Sequence, residues 1–265
     1  MPYQPVYDDV HLYYEWHGRS DAMPLVLING LLSDTTSWAF QIPVFAEYFR
    51  VLTYDCRGQG RSDKPVGPYS QELHTRDLVA LLDAFHVSRA HILGLSNGGT
   101  IALTLAVTVP ERVERLVLVD TFAYADAVMR SKLHTWLAAL DLGGTMARFD
   151  AALPWVWGRD ILQRSGDAII ELRERAAEAN IEAQRALIHG TLNYDIRHRL
   201  CDISAPTRVI VGEEDVLTPP WYARELVAHI PNADLVVIPG AAHVPTIERP
   251  DVLNSRVLSF LQAQY

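Results

Sequence analysis

The chain has 265 residues, of which 49% are hydrophobic and 21% are charged. These fractions are typical of a globular protein and exclude a wholly disordered chain. The 23 Lys and Arg residues against 32 Asp and Glu residues give a net charge of −9. An acidic surface disfavours nucleic acids and anionic membranes as partners.

The sequence contains no signal for export or for a disulfide scaffold. Residues 1–5 lack the basic and apolar regions of a signal peptide, and the apolar run at residues 100–109 is too short to span a bilayer. The two cysteines, Cys56 and Cys201, cannot build a disulfide framework. We therefore expect a cytoplasmic protein.

Short apolar runs alternate with longer helical patterns along the chain. Runs rich in Val, Ile and Leu predict buried parallel strands, and they occur at residues 25–29, 51–55, 90–95, 116–120, 208–212 and 235–239. An alternating pattern at residues 11–16 predicts an antiparallel edge strand. Helical spacing at residues 71–85 and 97–109 fills two of the connections. This order predicts an α/β fold with an open, mostly parallel sheet and helices on both faces.

Residues 122–200 carry helical patterns and no strand pattern. We expect one helix over residues 126–142, ended by Gly143 and Gly144, and another over residues 171–189. We interpret the block as a cap, or lid, inserted into a core made of residues 1–121 and 201–265. The alternative is a helical layer that merely covers the sheet.

A candidate nucleophile lies directly after the strand at residues 90–95. Residues 94–98 read Gly-Leu-Ser-Asn-Gly, which fits the Gly-x-Ser-x-Gly pattern between a strand and a helix. A serine on such a sharp turn needs small neighbours, and the helix N-terminus directs free N–H groups at developing negative charge. Ser96 is therefore the predicted nucleophile. A structural Gly-rich turn is the alternative interpretation.

A serine nucleophile needs a base and an acid that orients the base. His243 directly follows the last predicted strand, and Asp215 follows the strand at residues 208–212. The chain order Ser96, Asp215, His243 is the order that accompanies a serine on this type of turn. Asp120 also ends a strand and remains the alternative acid, although it also suits a turn or a helix cap.

The oxyanion hole needs two N–H donors. We expect the amide of Asn97, the residue after the nucleophile, and the amide of Leu31, in the loop after the first parallel strand. Gly30 lets the backbone approach closely there, although Asn-Gly is also an ordinary turn dipeptide.

Aromatic side chains and one amide are candidates for the substrate pocket, with core or cap packing as the alternative for the aromatic ones. They are Asn29, Trp38, Trp136, Trp155, Trp157 and Trp221. The sequence has no metal-ligand spacing and no dinucleotide fingerprint, so we expect neither a metal nor a cofactor.

Taken together, these motifs resemble the α/β-hydrolase superfamily over essentially the whole chain. The residues that carry the resemblance are 29–30, 55–62 (Asp-Cys-Arg-Gly-Gln-Gly-Arg-Ser), 94–99, 212–215 with 218–219, and 243 with 248–250. The chain is most similar to small esterases and lactonases such as 3-oxoadipate enol-lactonases. The resemblance implies a sheet of about eight strands with a helical cap, a Ser96–His243–Asp215 triad, and an oxyanion hole from the Leu31 and Asn97 amides.

Two positions depart from the family pattern. Asn29 stands where many relatives have His, and Asn97 stands where Met, Gln or His is frequent. Because both positions touch the site, the substrate of the relatives does not carry over to this chain.

The resemblance and the motifs predict a hydrolase that acts on a small molecule. Ser96 would attack an ester, lactone or thioester, His243 would move the proton, and water would then cleave the acyl-enzyme. A lyase or cofactor-free oxygenase with His243 as base, or a ligand-binding receptor with vestigial turnover, remains open. The sequence leaves both a monomer and a homodimer open.

Overall fold

An eight-stranded sheet runs through residues 2–263, the part of the chain that the computed structural model describes. Its strands are β1 (Tyr3–Pro5), β2 (His11–His17), β3 (Pro24–Ile28), β4 (Arg50–Tyr54), β5 (Ala90–Leu95), β6 (Val113–Val119), β7 (Thr207–Gly212) and β8 (Ala233–Ile238). Their order in the sheet is β1-β2-β4-β3-β5-β6-β7-β8. From β4 to β8 all neighbours are parallel.

The six predicted parallel strands are confirmed as β3 to β8. The strand predicted at residues 11–16 is confirmed as antiparallel β2, which pairs with β4. The prediction that β2 is the edge strand was wrong, because β1 pairs along its other side. β1 has only three residues and includes a proline, so it is too short to show an alternating pattern.

Ten α-helices connect or cover these strands within residues 2–263. They are α1 (Ile42–Phe45), α2 (Gln71–Ala84), α3 (Asn97–Thr108), α4 (Ala127–Val156), α5 (Arg159–Arg164), α6 (Gly166–Ala177), α7 (Ile181–Leu192), α8 (Pro220–His229), α9 (Pro245–Glu248) and α10 (Pro250–Leu261). None of those ten helices is both long enough and apolar enough to cross a bilayer.

The sheet has a separate apolar core on each face, because side chains alternate along a strand. On β3, Val26 and Ile28 join the core that holds α2, α3 and α8. Leu25 and Leu27 join the core that holds α1 and α10. Burying one such side chain stabilises the fold by roughly 1.5–3 kcal/mol. This arrangement confirms the predicted α/β fold with helices on both faces.

Four helices, α4 to α7, lie between β6 and β7 along the chain. The predicted break at Gly143 and Gly144 is confirmed as a kink within α4, where Gly144 has φ +71°. The single helix predicted over residues 171–189 was wrong. The chain leaves α6 at Ala177 and restarts at α7, where the Asn180 side chain accepts a hydrogen bond from the Ala183 amide. An N-cap asparagine of this kind starts a new helix.

Parallel strands end at one edge of the sheet, so the loops after β3, β5, β6, β7 and β8 meet there. β5 lies between β3 and β6, and the turn that follows it is therefore at the centre of this edge. Open α/β sheets place their sites at such an edge.

Candidate active site

Ser96 occupies a strained turn between β5 and α3. Its backbone has φ +55° and ψ −119°, a conformation that costs a non-glycine residue about 1–3 kcal/mol and is found mostly at functional sites. The Ser96 amide donates to the carbonyl of Val119 at 2.8 Å, and the Ser96 carbonyl accepts from the Thr121 hydroxyl at 2.7 Å. Residues at the end of β6 and directly after it therefore fix the Ser96 turn through two hydrogen bonds.

Glycines allow this turn to pack against the neighbouring strand. A β-carbon on Gly98 would lie 2.1 Å from the carbonyl oxygen of Ile28 on β3, and one on Gly94 would lie 2.3 Å from the carbonyl oxygen of Gly98. No larger residue fits at either position unless the backbone moves. The glycines of the Gly-x-Ser-x-Gly pattern thus bring the N-terminus of α3 close to the loop after β3.

The three predicted catalytic side chains form one continuous line of hydrogen bonds. The Oγ of Ser96 lies 2.9 Å from Nε2 of His243. The Nδ1 of His243 lies 2.9 Å from Oδ2 of Asp215. His243 and Asp215 are buried, while Ser96 is partly exposed. This geometry lets the imidazole accept the serine proton while the carboxylate orients the ring.

Asp215 is held in its ionised form by its neighbours. Its Oδ1 accepts hydrogen bonds from the amides of Leu217 at 2.8 Å and Thr218 at 2.9 Å. Burial raises the pKa of this carboxyl, but the charge and hydrogen bond of His243 and the bonds from Thr218 outweigh it and hold the pKa below its ordinary value. A carboxylate is therefore available to stabilise an imidazolium.

Thr218 is a site residue to which the sequence analysis assigned no role. Its Oγ1 lies 2.6 Å from Oδ2 of Asp215 and 3.1 Å from Nδ1 of His243. The hydroxyl thus joins the acid and the base. The available signal was its position three residues after the acid, within the Thr-Pro pair of the resemblance.

Asp120, the alternative acid, lies at the end of β6 without a hydrogen bond to His243. Its Oδ1 accepts from the amide of Gly212 at 2.8 Å, while its buried Oδ2 has no partner within residues 2–263. Burial and the nearby charge of Asp215 raise the pKa of Asp120 well above its ordinary value. Its contact with Gly212 joins the ends of β6 and β7.

The two predicted oxyanion donors belong to segments that lie next to Ser96. A β-carbon on Gly30 would lie 3.4 Å from Cβ of Ser96, so the loop after β3 passes directly beside the serine. The amides of Leu31 and Asn97 donate no hydrogen bond to any residue in the described range 2–263. Two free N–H groups beside a serine suit a developing oxyanion.

Side chains from the 55–62 run hold this loop. The amide of Leu32 donates to Oε1 of Gln59. The carboxylate of Asp55 accepts from the amides of Thr35 and Arg61, each at 2.8 Å. The Asp-x-Arg-Gly-x-Gly-x-Ser motif therefore fixes the conformation of the loop after β3, which passes beside Ser96.

The side chain of Asn29 shapes the same loop. Its Nδ2 donates to the carbonyl oxygen of Ser33 at 2.8 Å, and the residue is fully buried. The Oδ1 of Asn29 is buried and has no hydrogen-bond partner within residues 2–263, and its place in the pocket wall stays a prediction.

The tryptophans predicted to line a pocket separate into three groups. Trp136 and Trp155 stack on each other with ring centroids 6.3 Å apart, and half-buried Trp157 ends α4. The prediction was wrong for Trp38, which is fully buried in the core of α1 and α10 on the other face. Trp221 is 51% exposed at the start of α8, and its place in a pocket stays a prediction.

The side chain of Asn97 joins α3 to α2 and α7. Its Oδ1 accepts from Nε2 of Gln71 at 2.9 Å and from Oγ1 of Thr191 at 3.2 Å. Thr191 belongs to α7 and Gln71 to α2, so two distant segments meet at the residue after the nucleophile. Neither partner was identified from the sequence, since nothing near them marks a site.

A second contact joins the helical segment to the loop of His243. The carboxylate of Glu248 accepts from the amide of Gly158 at 2.8 Å and from the amide of Ala242. Gly158 follows α4, and Ala242 immediately precedes His243. Burial raises the pKa of Glu248 despite these two donors.

Within residues 2–263, no three His, Cys, Asp or Glu side chains are grouped so that they could hold a metal ion.

Known proteins resemble this chain along nearly its whole length. Putative carbamate hydrolase RutD of Caulobacter sp. (strain K31) is 32% identical and aligns over 96% of each chain. 3-Oxoadipate enol-lactonase 2 of Acinetobacter baylyi is 30% identical over 94% of this chain and 92% of its own. The enol-lactonase structure from Burkholderia xenovorans LB400 has a TM-score of 0.91 and 32% identity, covering 99% of this chain and 100% of its own.

The family model agrees with these likenesses. The model described as the alpha/beta hydrolase family matches residues 25–256. This match, the eight-stranded sheet and the named relatives confirm the resemblance predicted from the motifs. The chain belongs to the alpha/beta hydrolase family.

Proposed function

We propose that the protein is a serine hydrolase that cleaves a carboxylic ester, lactone or thioester through an acyl-enzyme. The observation that carries the proposal is the hydrogen-bonded line from Ser96 through His243 to Asp215. His243 takes the Oγ proton as Ser96 attacks the carbonyl, and then gives it to the leaving group. Water activated by His243 releases the acyl group and regenerates Ser96.

The free amides of Leu31 and Asn97 bind the oxyanion of each tetrahedral intermediate. Each donor of this kind contributes on the order of 10²–10³ in rate. The donors are backbone groups of two different loops, so the hole depends on the close approach of Gly30 to Ser96.

Residues 122–200 act as the cap over this edge in the proposed enzyme. The support is the two contacts that reach the site from this segment, Thr191 to Asn97 and Gly158 to Glu248. The half-buried Trp155, which stacks on the buried Trp136, offers an apolar surface on the same segment, which suits a small, partly apolar substrate.

Carbamate hydrolysis is the second candidate function. The observation in its favour is the 32% identity to a relative named as a putative carbamate hydrolase. The same three side chains would attack the carbamate carbonyl, and the protonated His243 would give its proton to the leaving nitrogen or oxygen.

Labelling with a fluorophosphonate, together with turnover of p-nitrophenyl acetate, tests the proposal. We expect labelling of the wild type and a burst of p-nitrophenol, both lost in Ser96→Ala. Ser131→Ala is the matched control, because Ser131 is an exposed serine on α4. If folded wild type reacts with neither reagent, the serine hydrolase proposal fails. If Ser96→Ala keeps full activity on the natural substrate, a non-hydrolytic reaction with His243 as base is favoured instead.

A further inference from the structure

Arg148 is a buried cation of the helical segment without an ionic partner. It lies in α4 and is 7% exposed. Its Nε donates to Oε1 of Gln184 on α7 at 3.1 Å. Across residues 2–263, no carboxylate lies within ion-pair distance of Arg148. Its two terminal nitrogens make no hydrogen bond in this range, and they are not fully enclosed.

Arg57, the most deeply buried arginine within residues 2–263, is by contrast fully paired. The guanidinium of Arg57 donates to both carboxylate oxygens of Asp77, at 2.6 and 2.7 Å. Burial lowers the pKa of Arg148 to about 10, so its guanidinium remains charged at neutral pH. A buried charge that lacks a counter-charge is costly for a fold. Such an arrangement is expected where a ligand supplies the missing anion.

The position of Arg148 relates it to the candidate active site. Gln184, Ile188 and Thr191 lie on one buried face of α7, and Thr191 contacts Asn97, the residue after Ser96. Gln184, which contacts the guanidinium, precedes Thr191 by seven residues, or about 10 Å along the helix at 1.5 Å per residue. The residue that contacts the guanidinium is therefore about two helical turns, along the same face of α7, from the residue that contacts Asn97.

The α4 face that carries Arg148 continues toward the same region. Ala152 and Trp155 follow Arg148 at helical spacing on this face, and both contact the core that includes β3 and α3. Trp155 stacks on Trp136. Arg148 is therefore on the inner side of the helical segment, next to apolar surface.

We propose that Arg148 binds a carboxylate group of the substrate, remote from the bond cleaved at Ser96. The two free terminal nitrogens of the guanidinium match the two oxygens of a carboxylate. Apolar side chains that share the α4 and α7 faces with Arg148 and Gln184, such as Trp155 and Ile188, suit a short hydrocarbon chain. The substrate is thus an ester or lactone of a carboxylate-bearing molecule. This inference rests on the proposed function and narrows its substrate class.

Two matched substrate series test the inference. The first comprises p-nitrophenyl hemiesters of succinate, glutarate and adipate, each compared with its methyl-capped neutral diester. The second comprises acetate esters of ω-hydroxy acids, each compared with its methyl ester. We expect wild type to favour the free acid over the neutral ester in one series, with an optimum at one chain length. Equal kcat/KM values for charged and neutral members of both series would overturn the inference.

Variants separate recognition of the anion from support of the fold. Arg148→Met is expected to lower kcat/KM for the favoured acid by roughly 10- to 100-fold, mainly through KM, and to leave its neutral ester nearly unchanged. Arg148→Lys, which keeps the charge without the planar fork, should fall between the two. Arg164→Met is the matched control, because the Arg164 side chain is 79% exposed in the same segment. An equal loss for acids and neutral esters in Arg148→Met would indicate a structural role and overturn the inference.

A binding measurement distinguishes this inference from the proposed function. Calorimetric titration of folded Ser96→Ala with glutarate and adipate requires no turnover. Binding that is lost on adding Arg148→Met supports the carboxylate site even if p-nitrophenyl acetate is not hydrolysed. Absence of binding, together with hydrolysis of neutral esters, would reject the carboxylate site and leave the hydrolase proposal standing.

Discussion

The edge of the sheet and the helical segment between β6 and β7 are built in different ways. At the sheet edge, backbone groups in close contact set the positions, as where Gly98 touches Ile28 and the Ser96 amide donates to Val119. In the helical segment, α5 and α6 bury no residue, and single contacts such as Thr191 to Asn97 make the connection to the site. The geometry at Ser96 is thus set by close backbone contacts, whereas the helical segment is connected to the candidate site by a few single contacts.

The largest effect is expected from a substitution that breaks the line of hydrogen bonds from Ser96 through His243 to Asp215. Asp215→Asn should lower kcat on p-nitrophenyl acetate by about 10⁴-fold, because the amide no longer stabilises the imidazolium or fixes its tautomer. Asp120→Asn is the matched variant, and its kcat should remain within about tenfold of wild type. Steady-state kinetics of both proteins measure this. A loss confined to Asp120→Asn would identify Asp120 as the working acid.

The close backbone contact at Gly98 should be the next most sensitive feature. Gly98→Ala places a β-carbon 2.1 Å from the Ile28 carbonyl, which forces the loop that carries Leu31 away from Ser96. We expect a loss of about 3 kcal/mol in unfolding free energy and much slower fluorophosphonate labelling. Urea unfolding and labelling rates measure both. Unchanged stability would mean that the strand and the helix can separate freely at this point.

Acid should destabilise the fold through two buried histidines, one in α2 and one in β5. Burial lowers the pKa of His74 in α2 to about 3 and that of His91 in β5 to about 4. The unfolded chain binds these protons below about pH 6.5 and the folded chain does not. Stability therefore falls as the pH drops from 6.5, by about 2 kcal/mol at pH 5 for His74 alone.

Unfolding free energies at pH 7, 6 and 5 measure this dependence. His74→Met should flatten the slope between pH 6.5 and 5. His134→Met is the control, because His134 is exposed on α4 and its loss should leave the slope as it is. A slope that is the same in His74→Met and wild type would contradict the assignment.

The smallest expected effect lies in α6. A β-carbon on Gly166 would have no neighbour within 4 Å, and alanine is a better helix former than glycine. Gly166→Ala should therefore leave kcat unchanged and stabilise the fold by at most about 1 kcal/mol. Thermal unfolding and p-nitrophenyl acetate turnover check this. A loss comparable to that of Gly98→Ala would erase the contrast between the two regions.

The elements that could be predicted from the sequence are those with strong local patterns. Each parallel strand is a short run of Val, Ile and Leu, and the turn at Ser96 has the glycines that its geometry requires. Asp215 and His243 could be proposed from the sequence because each lies in the loop after a predicted parallel strand. Whether these side chains lie close together depends on the order of the strands in the sheet. The sequence does not give that order, and the prediction relied on the chain order of the three residues instead.

The features that were missed depend on contacts between residues far apart in the chain. The roles of Arg148 and Glu248 can be inferred only from their contacts with Gln184, Gly158 and Ala242. The helical pattern in the sequence runs on through residues 178–180, although α6 ends before them and α7 begins after them. The only local signal for this break is one residue, the N-cap Asn180. The aromatic side chains could not be sorted by composition, because burial on one face of the sheet or the other depends on packing.

The contact between Glu248 and Gly158 bears on how this architecture diversifies in evolution. The donor in this contact is the backbone amide of Gly158. The side chains of α4 to α7 can therefore change without loss of this contact beside His243. Position 158 itself is restricted, since a β-carbon there would lie 3.1 Å from Oε2 of Glu248 and 3.2 Å from Cβ of Ala242. Proline would abolish the donor altogether. In the proposed enzyme, one small residue would thus let the side chains of the cap change while the loop of His243 keeps its contact with that segment.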